Sequence, residues 1–284
     1  MIGFGIRNLK VFFKDRTAVF FSLLAVFIVI GLYALFLGDV WVENYQEIPG
    51  VRQIMDAWIV AGLLTVTSVT TVMGAFGTMM DDKARKLDRD FAASPIRRSS
   101  ILGGYVLSAG TIGLIMSLVA LVLSEVYIVS GGGSLLAPLA LLKVLGLLVL
   151  TTMTNTALLL FLVSFFRSSN AFGTASTVIG TLIGFLTGIY LPVGSLPEGV
   201  QWVIKCFPVS HAAALLRQTM MEVPMQAAFD GAPAQVVLGF KQQMGVVYQF
   251  GGTAVSPLAS VGILLGAAAV FFGLALWRLS RKQK

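Results

Sequence analysis

The stretch ILGGYVLSAGTIGLIMSLVALVLS, residues 101–124, contains no charged residue. Its 24 residues exceed the roughly 20 that a helix needs to cross the hydrocarbon core of a bilayer. Five other stretches of the chain are apolar over a comparable length. Together they predict six membrane spans, at residues 17–37, 57–80, 101–125, 139–166, 170–191 and 256–277.

The composition agrees with this interpretation. Hydrophobic residues make up 57% of the chain and charged residues only 12%, with a mean hydropathy of +0.88. Soluble domains carry roughly 25% charged residues, so a soluble fold is excluded. We therefore predict an all-α integral membrane protein, with residues 1–284 forming a single transmembrane domain.

Basic residues are distributed unevenly between the two sides of the predicted bundle. The chain has 20 Lys and Arg, 13 Asp and Glu, and a net charge of +7. In a soluble protein this excess would suggest nucleic acid as a partner. Here fifteen of the basic residues fall on the side of the two termini and four on the other side. Because cytoplasmic loops are enriched in Lys and Arg, we predict cytoplasmic termini and no nucleic-acid partner.

Three segments outside the spans have a predicted structure of their own. Residues 1–16 alternate apolar and basic side chains and predict a helix lying on the inner membrane surface. Residues 81–98 carry Ala84, Leu87 and Phe91 at helical spacing on a charged background, which indicates a short amphipathic cytoplasmic helix. An ordinary positively charged loop remains the alternative. Prolines divide residues 192–221 into apolar pieces too short to cross, and these predict re-entrant or outer helices.

The sequence offers no catalytic constellation. It contains a single histidine, His211, and lacks the GxSxG and HExxH motifs. It also lacks a Gly-Lys dipeptide, which the phosphate-binding loop of ATPases requires. We therefore predict no catalytic residue, metal site or cofactor in this chain, and any use of ATP must come from a partner.

Two ionisable residues, Glu125 and Lys143, lie in predicted spans close to the outer interface. Such residues are expensive in a membrane and are therefore candidates for function. A structural ion pair between Glu125 and Lys143 is one interpretation, and contact with a cation or a substrate is the other.

A second group of candidates could line a path through the membrane without fixed charge. The hydroxyl-rich second span and the glycine-rich fifth span supply them, and each could serve helix packing instead. They are Thr67, Thr70, Thr71, Gly74, Gly180, Gly184 and Gly188.

The order of motifs resembles the membrane subunits of ABC type-2 exporters over nearly the whole chain. After the second span, an acidic residue, a leucine, Ser-Pro and two arginines follow one another as they do in that family. They are Asp82, Leu87, Ser94-Pro95 and Arg97-Arg98. A later family pattern of prolines, an aromatic residue and an arginine is matched by Pro192, Leu196-Pro197, Trp202, Pro208 and Arg217. Two positions depart from the family: Arg85-Lys86 replaces Gly-Thr, and Gly103-Gly104 replaces Gly-Lys.

The resemblance implies that residues 81–98 contain the coupling helix, which docks on a separate ATP-binding subunit. The implied partner-binding residues are Asp82, Arg85, Leu87, Arg89, Phe91, Ser94 and Pro95. ATP and Mg²⁺ would be bound by that partner. A second permease copy or a related permease would complete the transporter, surrounded by membrane lipid.

The implied function is export of a lipophilic or amphipathic substrate, such as a drug, an antibiotic or a lipid. Separate permease and ATPase chains favour the cytoplasmic (inner) membrane of a bacterium or an archaeon. Three alternatives remain open on the residues alone: an ion-coupled secondary transporter or channel, a membrane-embedded transferase, and a regulatory membrane subunit.

Overall fold

The computed structural model describes residues 1–33, 35 and 38–281. Within these ranges it describes all side chains except those of Ala25, Gly38, Asp39, Trp41, Asp88, Arg89 and Ala92. The described helices are α1 (Ile2–Lys14), α2 (Arg16–Leu32), α3 (Gly38–Asn44), α4 (Val51–Ala84), α5 (Leu87–Ala93), α6 (Arg98–Ser130), α7 (Pro138–Val163), α8 (Ser169–Leu186), α9 (Glu198–Cys206), α10 (Pro208–Met220), α11 (Glu222–Ala228), α12 (Ala234–Gln243) and α13 (Pro257–Arg281). A 3-10 turn covers Val193–Ser195, and β1 (Gln249–Phe250) pairs antiparallel with β2 (Thr253–Ala254).

Five helices are long and apolar enough to cross a membrane, judged by length and composition: α4, α6, α7, α8 and α13. A sixth crossing is present if α1 and α2, which meet at an angle of 76°, count as one broken span. The predicted fold class, an all-α integral membrane protein, is confirmed. The first predicted span, residues 17–37, corresponds to α2 as far as Leu32, and residues 34, 36 and 37 lie outside the described part.

Helix α4 forms the centre of the bundle. It packs against α2, α6, α7, α8 and α10, and its most apolar window is 89% buried. The same measure is only 17% for α8 and for α13, which lie at the periphery. The apolar outer faces of these two helices therefore face lipid or another protein.

The bundle has two unlike ends. One end, here called the terminal end, carries α1, α5, the start of α6 and the end of α13; at this end Arg7 contacts Asp82, and Arg278 lies over Phe165. The opposite end carries α3, α9–α12 and the β-hairpin. The start of α1 and the end of α13 thus lie at the same end of the bundle.

Helix α8 ends at Leu186, five residues before the predicted limit of 191. Gly188 adopts φ +65°, and two backbone hydrogen bonds close the helix: Ile189 N–H to Gly184 O and Gly188 N–H to Phe185 O, both 3.0 Å. This is a Schellman ending, in which glycine takes the left-handed position at little steric cost. The chain then returns as the short helices α9 and α10, and α10 packs inside the bundle against α4, α7 and α13.

Candidate functional site

A buried carboxylate joins three helices at the terminal end. The Asp82 side chain, near the end of α4, accepts hydrogen bonds from Arg7 Nη1 (2.5 Å) and Nη2 (2.9 Å) of α1. The Tyr105 hydroxyl of α6 donates to the same carboxylate at 2.6 Å. Asp82 is only 4% exposed, so these three donors replace its hydration. We call Arg7, Asp82 and Tyr105 the carboxylate node.

Local sequence explains why α1 reaches this carboxylate. Gly5 and Asn8 are buried on one face of α1, and Asn8 Nδ2 donates to Ser108 Oγ of α6 at 3.4 Å. A Cβ atom on Gly104 would lie 2.7 Å from Phe4 Cδ1 and 3.2 Å from the Gly5 nitrogen. Gly104 therefore permits the close approach of α1 and α6, and this explains glycine at a position where the resembled family has lysine.

Aromatic rings connect α5 to the carboxylate node. Phe91 of α5 and Tyr105 of α6 each make an edge-on contact with Phe4, with ring centroids 5.0 Å apart in both pairs. The Arg7 guanidinium carbon lies 5.4 Å from the Phe91 centroid and 5.7 Å from the Phe4 centroid. Helix α5 thus contacts α1 directly through Phe91 and is connected to α6 through Phe4.

In the described part of the chain, Arg85, Leu87 and Pro95 form a small surface on and beside α5, here called the surface around α5. Lys86 takes the left-handed conformation, φ 61°, and separates α4 from α5. Arg85 and Pro95 are exposed, and Leu87 is partly buried. Helix α5 ends at Ala93 because Ser94, which precedes Pro95, adopts extended backbone; its hydroxyl donates to Phe91 O at 2.7 Å. The Arg89 side chain lies outside the described part.

Two of the implied partner-binding residues have other contacts than expected. Asp82 belongs to α4 and is enclosed by the carboxylate node, so it offers no free carboxylate to a partner. Phe91 is partly buried against Phe4 and Arg7. The sequence missed this because Asp82 and Phe91 meet α1, which lies about 75 residues earlier in the chain.

A family model described as ABC-2 type transporter matches residues 5–221. The match begins in α1, includes the carboxylate node and α5, and ends just after α10. The chain belongs to the ABC-2 type transporter family. It is a multi-pass transmembrane permease subunit of an ABC transporter, and permeases of this family work with ABC ATP-binding subunits. No curated protein matches the sequence.

In this ABC-2 permease, the threonine hydroxyl groups that were candidates for lining a transport path donate hydrogen bonds to backbone carbonyl groups of α4. Thr67, Thr70 and Thr71 each donate to the carbonyl oxygen four residues earlier, at 2.8, 3.1 and 2.7 Å. Thr67 and Thr71 are also buried, whereas Gly74 is exposed, near Ser22 of α2. Within one chain the hydroxyls of these threonines are therefore satisfied by the backbone of α4 itself.

The three glycines predicted as candidates in the fifth span have three different environments. A Cβ on Gly180 would meet nothing within 4 Å, whereas a Cβ on Gly184 would lie 2.2 Å from the Tyr190 ring. Gly188 forms the Schellman ending described above. Gly180 is therefore available for contact outside the chain, and Gly184 packs against its own chain.

Glu125 and Lys143, for which an ion pair was one of two interpretations, have other partners in the structure. Glu125 Oε2 accepts the backbone N–H of Leu136 at 3.1 Å, which fastens the loop between α6 and α7. Lys143 Nζ lies 3.7 Å from Glu222 Oε2, at the rim of a cavity of about 1330 Å³ at the opposite end. The pairing differs because Glu222 lies in a segment whose structure the sequence did not predict.

Arg217 is the most deeply buried of the charged side chains that the structure describes. It is 0% exposed on α10, its Nη2 donates to Gly188 O at 3.1 Å, and its guanidinium carbon lies 4.6 Å from the Trp58 ring centroid. Burial lowers the pKa of Arg217 to about 10. The arginine thus links α10 to the ending of α8 and to α4. The family pattern placed Arg217 on a helix after Pro208 but predicted none of these partners.

Proposed function

We propose that this permease exports a lipophilic or amphipathic substrate, such as a drug, an antibiotic or a lipid, with energy from a separate ATP-binding subunit. ATP and Mg²⁺ bind to that partner. The terminal end faces the cytoplasm, in the inner membrane of a bacterium or an archaeon. The observation that carries this proposal is the carboxylate node, which connects the surface around α5 with three helices of the bundle.

Charge supports the proposed orientation. The terminal end carries the basic residues of α1, of the α4–α5 connection and of the end of α13, and a positive surface favours the cytoplasmic leaflet. The same end carries α5, the helix that the family resemblance assigns to ATPase docking. An ATP-binding subunit in the cytoplasm would therefore meet Arg85, Leu87 and Pro95 first.

The proposed docking has a mechanical consequence. Phe91 packs against Phe4, and Phe4 packs against Tyr105, so a push on α5 reaches α1 and α6 through two ring contacts. The hydrogen bonds of Asp82 keep the end of α4 within the same unit. Closure of the ATPase would then move α1, α4 and α6 together.

The proposed path lies between two permease copies. The outer face of α8 is unburied within the chain, and Gly180 has open space beside it. A second copy or a related permease packed near α8 would enclose Gly74 and the exposed part of α4. The residues there are uncharged, and this supports a substrate with substantial apolar surface.

Co-purification tests the proposed docking. The permease is expressed with candidate ATP-binding subunits and isolated by a tag on the permease. The wild type should retain an ATPase, and the double variant Arg85→Glu with Leu87→Arg should lose it. Lys205→Glu, a charge reversal at the opposite end, is the matched control and should retain the ATPase. Equal retention by the wild type and the double variant would contradict docking at α5.

A further inference from the structure

An apolar groove runs along the outside of the bundle between α6 and α13. Both helices pack on α7 but make little contact with each other, so α7 forms the floor. The groove has a main compartment of about 570 Å³ and a smaller one of about 310 Å³ nearer the terminal end. Val106, Leu107 and Phe272 line both compartments, so the two are continuous.

The lining of the groove is suited to hydrocarbon. Val149 and Met153 of the floor are 43% and 60% exposed, and the three threonines that line the groove have partners of their own. Thr111 donates to Leu107 O at 2.8 Å, Thr156 donates to Thr152 O at 2.7 Å, and Thr152 Oγ1 lies 3.3 Å from Ser68 Oγ. In the main compartment an occupant therefore meets methyl and methylene groups, and the threonine hydroxyls there already have partners.

The groove follows α6 over a considerable part of its length. On α6 the main compartment extends from Val106 to Leu118, or roughly 18 Å at 1.5 Å per residue. Val106 lies roughly 12 Å along the helix from Arg98, the first residue of α6, and the smaller compartment spans this interval. An elongated occupant that begins near Arg98 therefore passes through the smaller compartment before it reaches the main one.

Positive charge lies at the mouth of the groove. Ser99 lines the smaller compartment, and Arg97 and Arg98, which immediately precede it, are exposed at the start of α6. No acidic side chain lines either compartment in the part of the chain that the structure describes. Exposed arginines beside a groove between transmembrane helices favour an anionic headgroup.

We propose that this groove binds one anionic phospholipid from the leaflet at the terminal end. One acyl chain occupies the groove between α6 and α13, and the phosphate-bearing headgroup lies beside Arg97 and Arg98. The site is independent of the transported substrate and of ATPase docking. The bound lipid fills the space between α6 and α13, which is open in the protein alone.

Native mass spectrometry of the purified permease tests this site. The protein is incubated in detergent with equal amounts of phosphatidylglycerol and phosphatidylcholine, and the lipids retained by each chain are counted. The wild type should retain one phosphatidylglycerol in preference to phosphatidylcholine. Ala269→Phe, which fills the groove from α13, should lose it, while Val270→Phe on the same helix but outside the groove should keep it.

A second variant and a headgroup variant separate groove filling from misfolding. Thr111→Phe fills the groove from α6 and should also lose the lipid, with each variant checked for a single species by size-exclusion chromatography. Arg97→Gln with Arg98→Gln should lower the preference for phosphatidylglycerol by on the order of tenfold. Equal retention of both lipids by the wild type, or unchanged retention in well-folded Ala269→Phe and Thr111→Phe, would overturn the proposal.

Discussion

Arg7 and Asp82 lie 75 residues apart in the sequence and form a bidentate ion pair, with nitrogen–oxygen distances of 2.5 and 2.9 Å. Paired hydrogen bonds of this kind fix direction as well as distance. The pair holds the surface helix α1 against the end of the central helix α4. The hydrogen bond to Asp82 also raises the pKa of Arg7 above its ordinary value, so the guanidinium stays charged.

Removal of either charge should destabilise the terminal end. Asp82→Ala leaves the Arg7 guanidinium without its carboxylate, and Arg7→Ala leaves a buried carboxylate with only the Tyr105 hydroxyl. We expect each single change to cost about 1–3 kcal/mol, because Asp82 is buried and Arg7 is partly exposed to solvent. The double variant should cost less than the sum of the two, which thermal unfolding of the detergent-purified protein measures. Additive effects would show that the pair contributes no coupling.

The glycines of α8 offer a matched pair of substitutions. Gly184→Ala places a methyl group against the outer end of the Tyr190 ring, which must move aside, and should destabilise the protein by about 1 kcal/mol. Gly180→Ala meets open space within the chain and should leave the unfolding temperature unchanged or slightly raised, because alanine favours helix. The comparison uses the unfolding temperatures of the two variants in the same detergent. A larger loss in Gly180→Ala than in Gly184→Ala would contradict the packing described for Tyr190.

The folded permease should become less stable in mildly acidic solution because His211 is protonated more readily in the unfolded chain. His211, the single histidine, lies buried on the non-crossing helix α10, with Nε2 2.9 Å from Lys205 O and Nδ1 3.1 Å from Ser260 Oγ. Burial lowers the pKa of His211 below 6.5. The unfolded chain therefore binds a proton more readily than the folded chain, and stability is lost as pH falls below about 6.5.

The expected measurement is the unfolding temperature of the wild type at pH 7.5 and at pH 5.5. The wild type should lose more stability between these values than His211→Gln, whose side chain does not titrate. Because the variant loses contacts, its unfolding temperature is lower at both pH values, and only the pH-dependent difference tests the assignment. An equal difference in both proteins would assign the pH dependence to other groups.

The helices of the bundle were predictable because long uncharged stretches have few ways to satisfy their backbone in a membrane. The side-chain contacts at the carboxylate node could not be predicted in the same way. The sequence places Asp82 in the segment after the second span. In the structure α4 continues to Ala84, and Asp82 therefore belongs to α4 and reaches Arg7 in the carboxylate node. Glu222 became the partner of Lys143 because α11 returns toward the start of α7, a long-range approach that hydropathy does not encode.

The spacing of glycines in the sequence also does not identify their packing partners. The intervals between Gly180, Gly184 and Gly188 indicate close approach of something to α8, and they do not distinguish a second chain from the same chain. Tyr190 approaches Gly184 only because Gly188 ends the helix and turns the chain back. The partner of each glycine thus depends on the ending of α8.

The rate of ATP hydrolysis by the assembled transporter shows whether the carboxylate node transmits movement between α5 and the bundle. In Asp82→Asn the surface around α5 keeps its exposed residues, so the ATP-binding subunit should still co-purify. The stimulation of its ATPase activity by the permease should fall severalfold. Stimulation at the wild-type level in a variant that binds the ATPase normally would contradict the account.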